Sequence, residues 1–195
     1  MSMKFSCESK ELYRTVTACA KSCGEGFLAR PVTECVELVC KGNTLTITAL
    51  DGFTMVQKVI KVNGECDGSC AIKPDTILRA LKGNKGEALV EVVNDITGLI
   101  SGEVLRIVAD GISMSANVYD GEYIKHGGLW SRHDCEYTTI YVNPKYLARV
   151  AETVATERES VPVIALDVPH NPHAPLIVHR HGAEDRGLVL PVRVV

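Results

Sequence analysis

No apolar run in this chain approaches the roughly 20 residues that cross a bilayer as a helix, and the opening Met-Ser-Met-Lys-Phe-Ser-Cys lacks the apolar stretch of a signal peptide. The cytoplasm is the expected location. Aromatic residues make up only 5% of the chain, and the formal net charge of −3 excludes a uniformly basic surface of the kind that coats nucleic acid. A local basic face stays open. Eight cysteines (Cys7, Cys19, Cys23, Cys35, Cys40, Cys66, Cys70, Cys135) never form a Cys-x-x-Cys, so reduced, buried thiols are expected. A zinc site would need the pairs Cys19/Cys23 and Cys66/Cys70 to meet in space.

Signatures of catalysis are also missing. There is no phosphate-cradling Gly-rich loop of the P-loop form and no Gly-x-Ser-x-Gly elbow. The best metal-binding constellation is Asp167, His170, His173, His179 and His181, but its setting, Pro169-His170-Asn171-Pro172-His173, reads as a turn between strands. A protein that is not an enzyme, with no metal, cofactor or catalytic residue, is expected.

What the chain does have is repetition. Residues 141–150 (Tyr-Val-Asn-Pro-Lys-Tyr-Leu-Ala-Arg-Val) align without a gap on 71–80 (Ala-Ile-Lys-Pro-Asp-Thr-Ile-Leu-Arg-Ala) and on 6–15 (Ser-Cys-Glu-Ser-Lys-Glu-Leu-Tyr-Arg-Thr). Each stretch passes from a strand residue through a polar or kinked start into a helix. The fifth residue after that start is basic: Arg14, Arg79 and Arg149, spaced by 65 and 70 residues. A period of that size implies three similar supersecondary units.

Taken in order, the first unit reads as a strand over Lys4 to Glu8 and a helix from Lys10 to Ser22 capped by Ser9. A strand over Thr33 to Cys40 follows, turned by Gly42-Asn43 into Thr44 to Ala49 as a hairpin, and then a strand over Phe53 to Val62. The second unit has a strand at Ser69 to Ile72, Pro74 at the start of a helix that ends at Leu81, and strands at 88–93, at 98–101 with 104–109, and at 112–118. The third has a strand over Tyr137 to Val142, a helix from Pro144 to about Thr156, and strands at 161–168, 175–179 and 187–194. One helix on a mostly antiparallel sheet, three times over, is an α+β architecture. The expected division is a two-unit domain over 1–124 (units 1–64 and 65–124), a connector over 125–135 and a half-domain over 136–195.

Four short stretches carry a family resemblance. Thr48-Ala49-Leu50-Asp51-Gly52-Phe53-Thr54-Met55 resembles the Ala-Thr-Asp-Gly-His-Arg-Leu segment of the bacterial DNA polymerase III beta subunit, the replication sliding clamp, with Thr54 where that family has a basic residue. Val118-Tyr119-Asp120-Gly121-Glu122-Tyr123 is similar to its Val-Asp-Gly-Arg-Phe-Pro segment. Val142-Asn143-Pro144-Lys145-Tyr146-Leu147 resembles its Phe-Asn-x-x-Tyr-Leu, and Leu188 to Val194 resembles its terminal Val-Val-Met-Pro-Met-Arg-Leu. The order is right and the four span nearly the whole chain.

The resemblance implies a DNA-clamp-like fold in which units one and two form one full clamp domain and unit three an extra half-domain. It implies a shortened, divergent processivity factor or scaffold for polymerases and repair proteins, with non-specific double-stranded DNA as a partner and no membrane. With twelve units in a full ring of the family, three per chain imply a homo-oligomer, a tetramer, whose unpaired third unit meets its copy in another protomer. Helices line the channel of such a ring, so Lys10, Arg14, Lys21, Arg79, Lys82, Lys145 and Arg149, on the polar faces of the three helices, become DNA-facing candidates that neutralise phosphates without reading bases. The resemblance places a cleft for short apolar clamp-binding peptides at Gly52, Phe53 and Met55 with Asn143, Tyr146, Pro175, Leu190, Pro191, Val192 and Arg193. A truncated mimic that binds clamp partners or a host clamp, without encircling DNA, is the alternative.

Overall fold

A computed structural model describes residues 3–26, 29–95, 102–127, 139–155, 163–180 and 186–192. The chain divides into two compact units, Met1–His126 and Gly127–Val195.

The first unit runs β1 (Lys4–Glu8), α1 (Ser9–Ala20), β2 (Val36–Leu50), β3 (Met55–Ile72), α2 (Pro74–Leu81), β4 (Glu87–Asp95), β5 (Gly102–Ala109) and β6 (Ile112–Asn117). Its strands form one antiparallel sheet in the order β2-β3-β1-β4-β5-β6. In α1 the helical spacing of Leu12, Val16 and Cys19 turns all three into the core. Ser9 is not the cap expected from the sequence: Glu8 holds that position without a side-chain bond, and the Ser9 amide donates to the Gly86 carbonyl at 2.9 Å. A backbone oxygen from the second repeat thus satisfies a free donor of the first repeat's helix. Helix α2 starts on Pro74, where the missing N–H costs no bond, and buries Ile77, Ala80 and Leu81.

Two breaks between strands expected from the sequence are absent. Gly42-Asn43 does not reverse the chain; β2 continues through it, and the pairing register shifts between Gly42 and Thr44. Gly42 supplies a left-handed backbone (φ 59°) for a bulge that lets one strand stay bonded to a single partner. The reversal comes instead at 51–54. Likewise, the separate strands expected at Phe53–Val62 and Ser69–Ile72 are one strand, β3, which carries the first repeat into the second. Gly64 (φ 122°) is the point at which β1 crosses it, and a Cβ there would lie 3.2 Å from the Lys4 carbonyl oxygen.

The two repeats close each other's sheets. Strand β1 of the first pairs with β4 of the second, from Lys4↔Glu91 to Glu8↔Glu87, while the end of β3, leading into α2, pairs with β2 of the first at Val36↔Ile72. Between sheet and helices lies one core that includes Phe5, Leu12, Leu45, Ile47, Ile77 and Ile107, each such side chain contributing about 1.5–3 kcal/mol by leaving water. Cys40 and Cys66 form a disulfide that ties β2 to β3, contrary to the expectation of reduced thiols throughout. Cys66 is therefore no ligand for the zinc site considered above. Cys7, Cys19, Cys23, Cys35 and Cys70 are free and buried.

The second unit contains α3 (Pro144–Ala155), β7 (Ile164–Asp167), β8 (Leu176–Arg180) and β9 (Arg186–Val189), with an antiparallel sheet in the order β7-β8-β9. Of the strand expected over Tyr137 to Val142, residues 137–138 lie outside the described residues and the remainder forms an isolated bridge, Val142↔Pro191. The Val192 amide donates to the Tyr141 carbonyl at 2.7 Å, and in the first unit the Tyr119 amide donates to the Ala71 carbonyl, also at 2.7 Å. Tyr141 and Ala71 each stand three residues before the proline that opens a helix, so one hydrogen bond closes the second and third repeats alike. Leu176, Val178 and Val189 are buried under α3 with Leu147 and Val150 packed against them. Gly187 permits that approach, since a Cβ on it would meet Val150 Cγ1 at 2.6 Å.

Candidate functional site

On the second unit, the ladder Leu176↔Val189 and Ile177↔Leu188 sets alternate residues on opposite faces. Leu176 and Val189 face α3. Leu188 and Ile177 face away from it, and continuing the alternation puts Leu190 and Val192 beside Leu188. The bridge Val142↔Pro191 brings Tyr141 opposite Val192 on that same outer face. The result is a strip of Tyr141, Leu188, Leu190 and Val192, all exposed, Leu190 most of all at 65%. Pro175, half-buried, immediately precedes β8. Arg193 lies outside the described residues.

Asn143 caps α3: its Oδ1 accepts from the Lys145 amide at 3.0 Å and its carbonyl from the amides of Tyr146 and Leu147. Tyr146 is exposed in the first turn of α3, with the Arg149 guanidinium 5.9 Å from its ring centre. The second unit thus brings Tyr141, Leu190, Pro191 and Val192 together along one edge and places Asn143 and Tyr146 at the neighbouring start of the helix.

In the first unit, the turn at 51–54 is organised by Asp51. Its Oδ1 accepts from the Phe53 amide at 2.8 Å and the Thr54 amide at 2.6 Å. These bonds, Thr54 foremost, hold the carboxyl below the usual aspartate range. Gly52 takes φ 97°, and Phe53 projects from the turn with 98% of its surface exposed. Met55 behaves differently, packing half-buried against the small cluster of Cys35, Leu50, Ala71 and Tyr123.

The seven basic candidates are all exposed. Lys10 and Arg14 lie on α1, with Lys21 at its end; Arg79 lies on α2, with Lys82 at its end; Lys145 and Arg149 lie on α3. Arg79 stands 3.9 Å from Asp75, one turn earlier on the same helix. Among the described residues no three His, Cys, Asp or Glu side chains gather as a metal site. His179 and Asp167 approach to 3.3 Å across two strands, and His181 lies outside the described residues.

A cavity of about 400 Å³ in the first unit was not foreseen from the sequence; Glu37, Cys70, Glu103, Tyr119, Tyr123 and His126 line it. His126 Nε2 meets Glu37 Oε2 at 2.8 Å, and the Tyr123 hydroxyl reaches the carbonyls of Cys35 and Thr48. Burial pushes the Tyr123 phenol and, to about 12, the Cys70 thiol up from their ordinary values. The segment Tyr119 to His126 is thereby fastened to β2; residues so distant in sequence offered no local signal of the contact.

No family model and no curated protein sequence matches the chain. Solved structures do, and they show that the fold is that of the bacterial DNA sliding clamp. The DNA polymerase sliding clamp of Bacillus subtilis aligns over 98% of this chain and 64% of its own, with a TM-score of 0.68 at 14% identity. A protein described as a DNA polymerase III beta subunit of Eubacterium rectale aligns over 96% of this chain and 50% of its own, with a TM-score of 0.73 at 13% identity. The sliding clamp of Bartonella birtlesii, solved bound to griselimycin, aligns over 91% and 46%, with a TM-score of 0.62 at 11% identity. The chain therefore spans about half to two thirds of the length of these clamps, and at such identities the likeness is one of fold.

Proposed function

We propose that the protein is a non-enzymatic, clamp-fold scaffold that holds short apolar peptides of replication or repair proteins and associates with duplex DNA without reading its sequence. The observation that carries this reading is the outer strip of Tyr141, Leu188, Leu190 and Val192. Contiguous exposed apolar side chains on a soluble surface mark a place where another chain is bound, and here they lie on a sheet face that α3 leaves uncovered. The apolar anchors of a short peptide suit such a strip.

DNA association rests on the exposed cations Lys10, Arg14, Lys21, Arg79, Lys82, Lys145 and Arg149. Exposed cations on helix surfaces suit a partner whose phosphates must be neutralised without fixing register. The pairing of Arg79 with Asp75 and the net charge of −3 favour a second reading, a regulator that binds clamp partners without encircling DNA. Charge reversal at Arg14, Arg79 and Arg149 separates the two. Loss of salt-sensitive DNA binding upon reversal supports the scaffold on DNA; peptide binding with no DNA affinity in the parent protein supports the regulator.

A further inference from the structure

The second unit leaves open the two edges that the first unit closes between its repeats. In the first unit, β4 gives one edge to β5 and the other to β1, and the strand leading into α2 gives its far edge to β2. The third repeat matches the second through the Tyr141–Val192 and Ala71–Tyr119 hydrogen bonds. Its β7 stands where β4 stands, and its 140–142 stretch where the end of β3 stands. Among the described residues β7 pairs only with β8, and 140–142 only with 190–192.

The apolar surfaces tell the same story. Helix α1 buries five of its residues and α3, of the same length, only Val154. Leu166 pairs with Val178, so it lies on the face of the sheet that holds the core, yet 47% of it is exposed. Of the large apolar side chains left exposed among the described residues, Phe53, Val59 and Ile112 belong to the larger unit and the other eight to the smaller. Unpaired strand edges beside uncovered apolar surface are what another chain would complete.

We infer that the occupant is the same unit of a second copy, related by a twofold axis. In the first unit the body that closes both edges is another repeat of the same plan, and it has its own two edges closed in return. Two third repeats about a twofold do this reciprocally: 140–142 of one protomer lies along β7 of its partner, and β7 along the partner's 140–142. Such an interface is isologous, and all four edges are closed by one operation. It covers Leu166 and sets α3 beside its copy, as α1 lies beside α2 in the first unit, and it leaves the outer strip of Leu188, Leu190 and Val192 free. The inference does not depend on peptide or DNA binding.

The test uses the full chain. Light scattering is expected to give an even multiple of the chain mass. Leu166→Lys, a change at a half-exposed site, is expected to lower that mass at least twofold while far-UV circular dichroism stays unchanged, whereas Leu190→Asp on the opposite face leaves the mass as it was. Independently of any variant, amide exchange at 164–167 is expected to slow as protein concentration rises. A parent protein that stays monomeric over the whole concentration range overturns the inference. So does an oligomer that Leu190→Asp breaks and Leu166→Lys does not, or exchange at β7 that is independent of concentration. Loss of peptide binding in Leu190→Asp with the oligomer intact leaves the inference standing and bears only on the proposed function.

Discussion

The Arg149 guanidinium carbon sits 5.9 Å from the centre of the Tyr146 ring, one helical turn away on α3. The cation lies within reach of the ring face on an exposed surface, and the pair joins the start of α3 to its cationic side. Arg149→Ala is expected to lower stability by about 0.5–1 kcal/mol in denaturant titration. Arg149→Lys keeps the charge on a thinner, less well-stacked head, so it is expected to retain DNA association while recovering only part of that stability.

Asp51 gives the turn at 51–54 a pH dependence. Its folded-state pKa lies below the ordinary 3.8 because the Thr54 and Phe53 amides favour the carboxylate. A depressed pKa stabilises the fold above the unfolded value and loses that contribution as pH falls through the folded one. Asp51→Asn can still accept from both amides, so urea titrations should show its turn retained but the acid-side slope reduced. Asp51→Ala should lose both.

The glycines of β2 and β3 rank by what surrounds them. Gly64→Ala places a methyl 3.2 Å from the Lys4 carbonyl at φ 122°, whereas Gly42→Ala meets nothing within 4 Å at φ 59°. A cost of about 1–2 kcal/mol is expected at Gly42 from the left-handed backbone alone. Gly64→Ala should cost more than this in the same chemical denaturation, because β1 must also move.

Cysteine chemistry divides along burial. Cys7, Cys23 and Cys70, each pushed up to about 12 chiefly by burial, should resist alkylation in the native protein at mildly alkaline pH and react once it is denatured, as read by peptide mass spectrometry. Reduction of Cys40–Cys66, which are 26 residues apart, should lower stability by at most about 3.5 kcal/mol from the lost constraint on the unfolded chain.

Repetition was legible because it is written locally: Pro74 and Pro144 open helices, and Arg79 and Arg149 recur at the same step. The helices and most strands follow from such short-range signals. Gly42-Asn43 misleads because a glycine with positive φ serves a bulge as well as a hairpin, and only the long partner β3 decides which. Exchange of strands between repeats, β1 onto β4 and β2 onto the end of β3, joins residues far apart in sequence and leaves no local mark. The same holds for the candidate surfaces. The exposed Leu190 and Val192 could be named from the sequence, while Tyr141 and Leu188 joined them only through the register of β8, β9 and the bridge at Pro191.

Peptide binding at the outer strip is tested most directly by fluorescence anisotropy of a labelled short apolar clamp-binding peptide against the full chain. The parent protein is expected to bind it, and the double variant Leu190→Asp, Val192→Asp to bind at least about tenfold more weakly, the equivalent of about 1.4 kcal/mol. Equal affinity in parent and variant, or no binding by the parent, contradicts the peptide-holding scaffold.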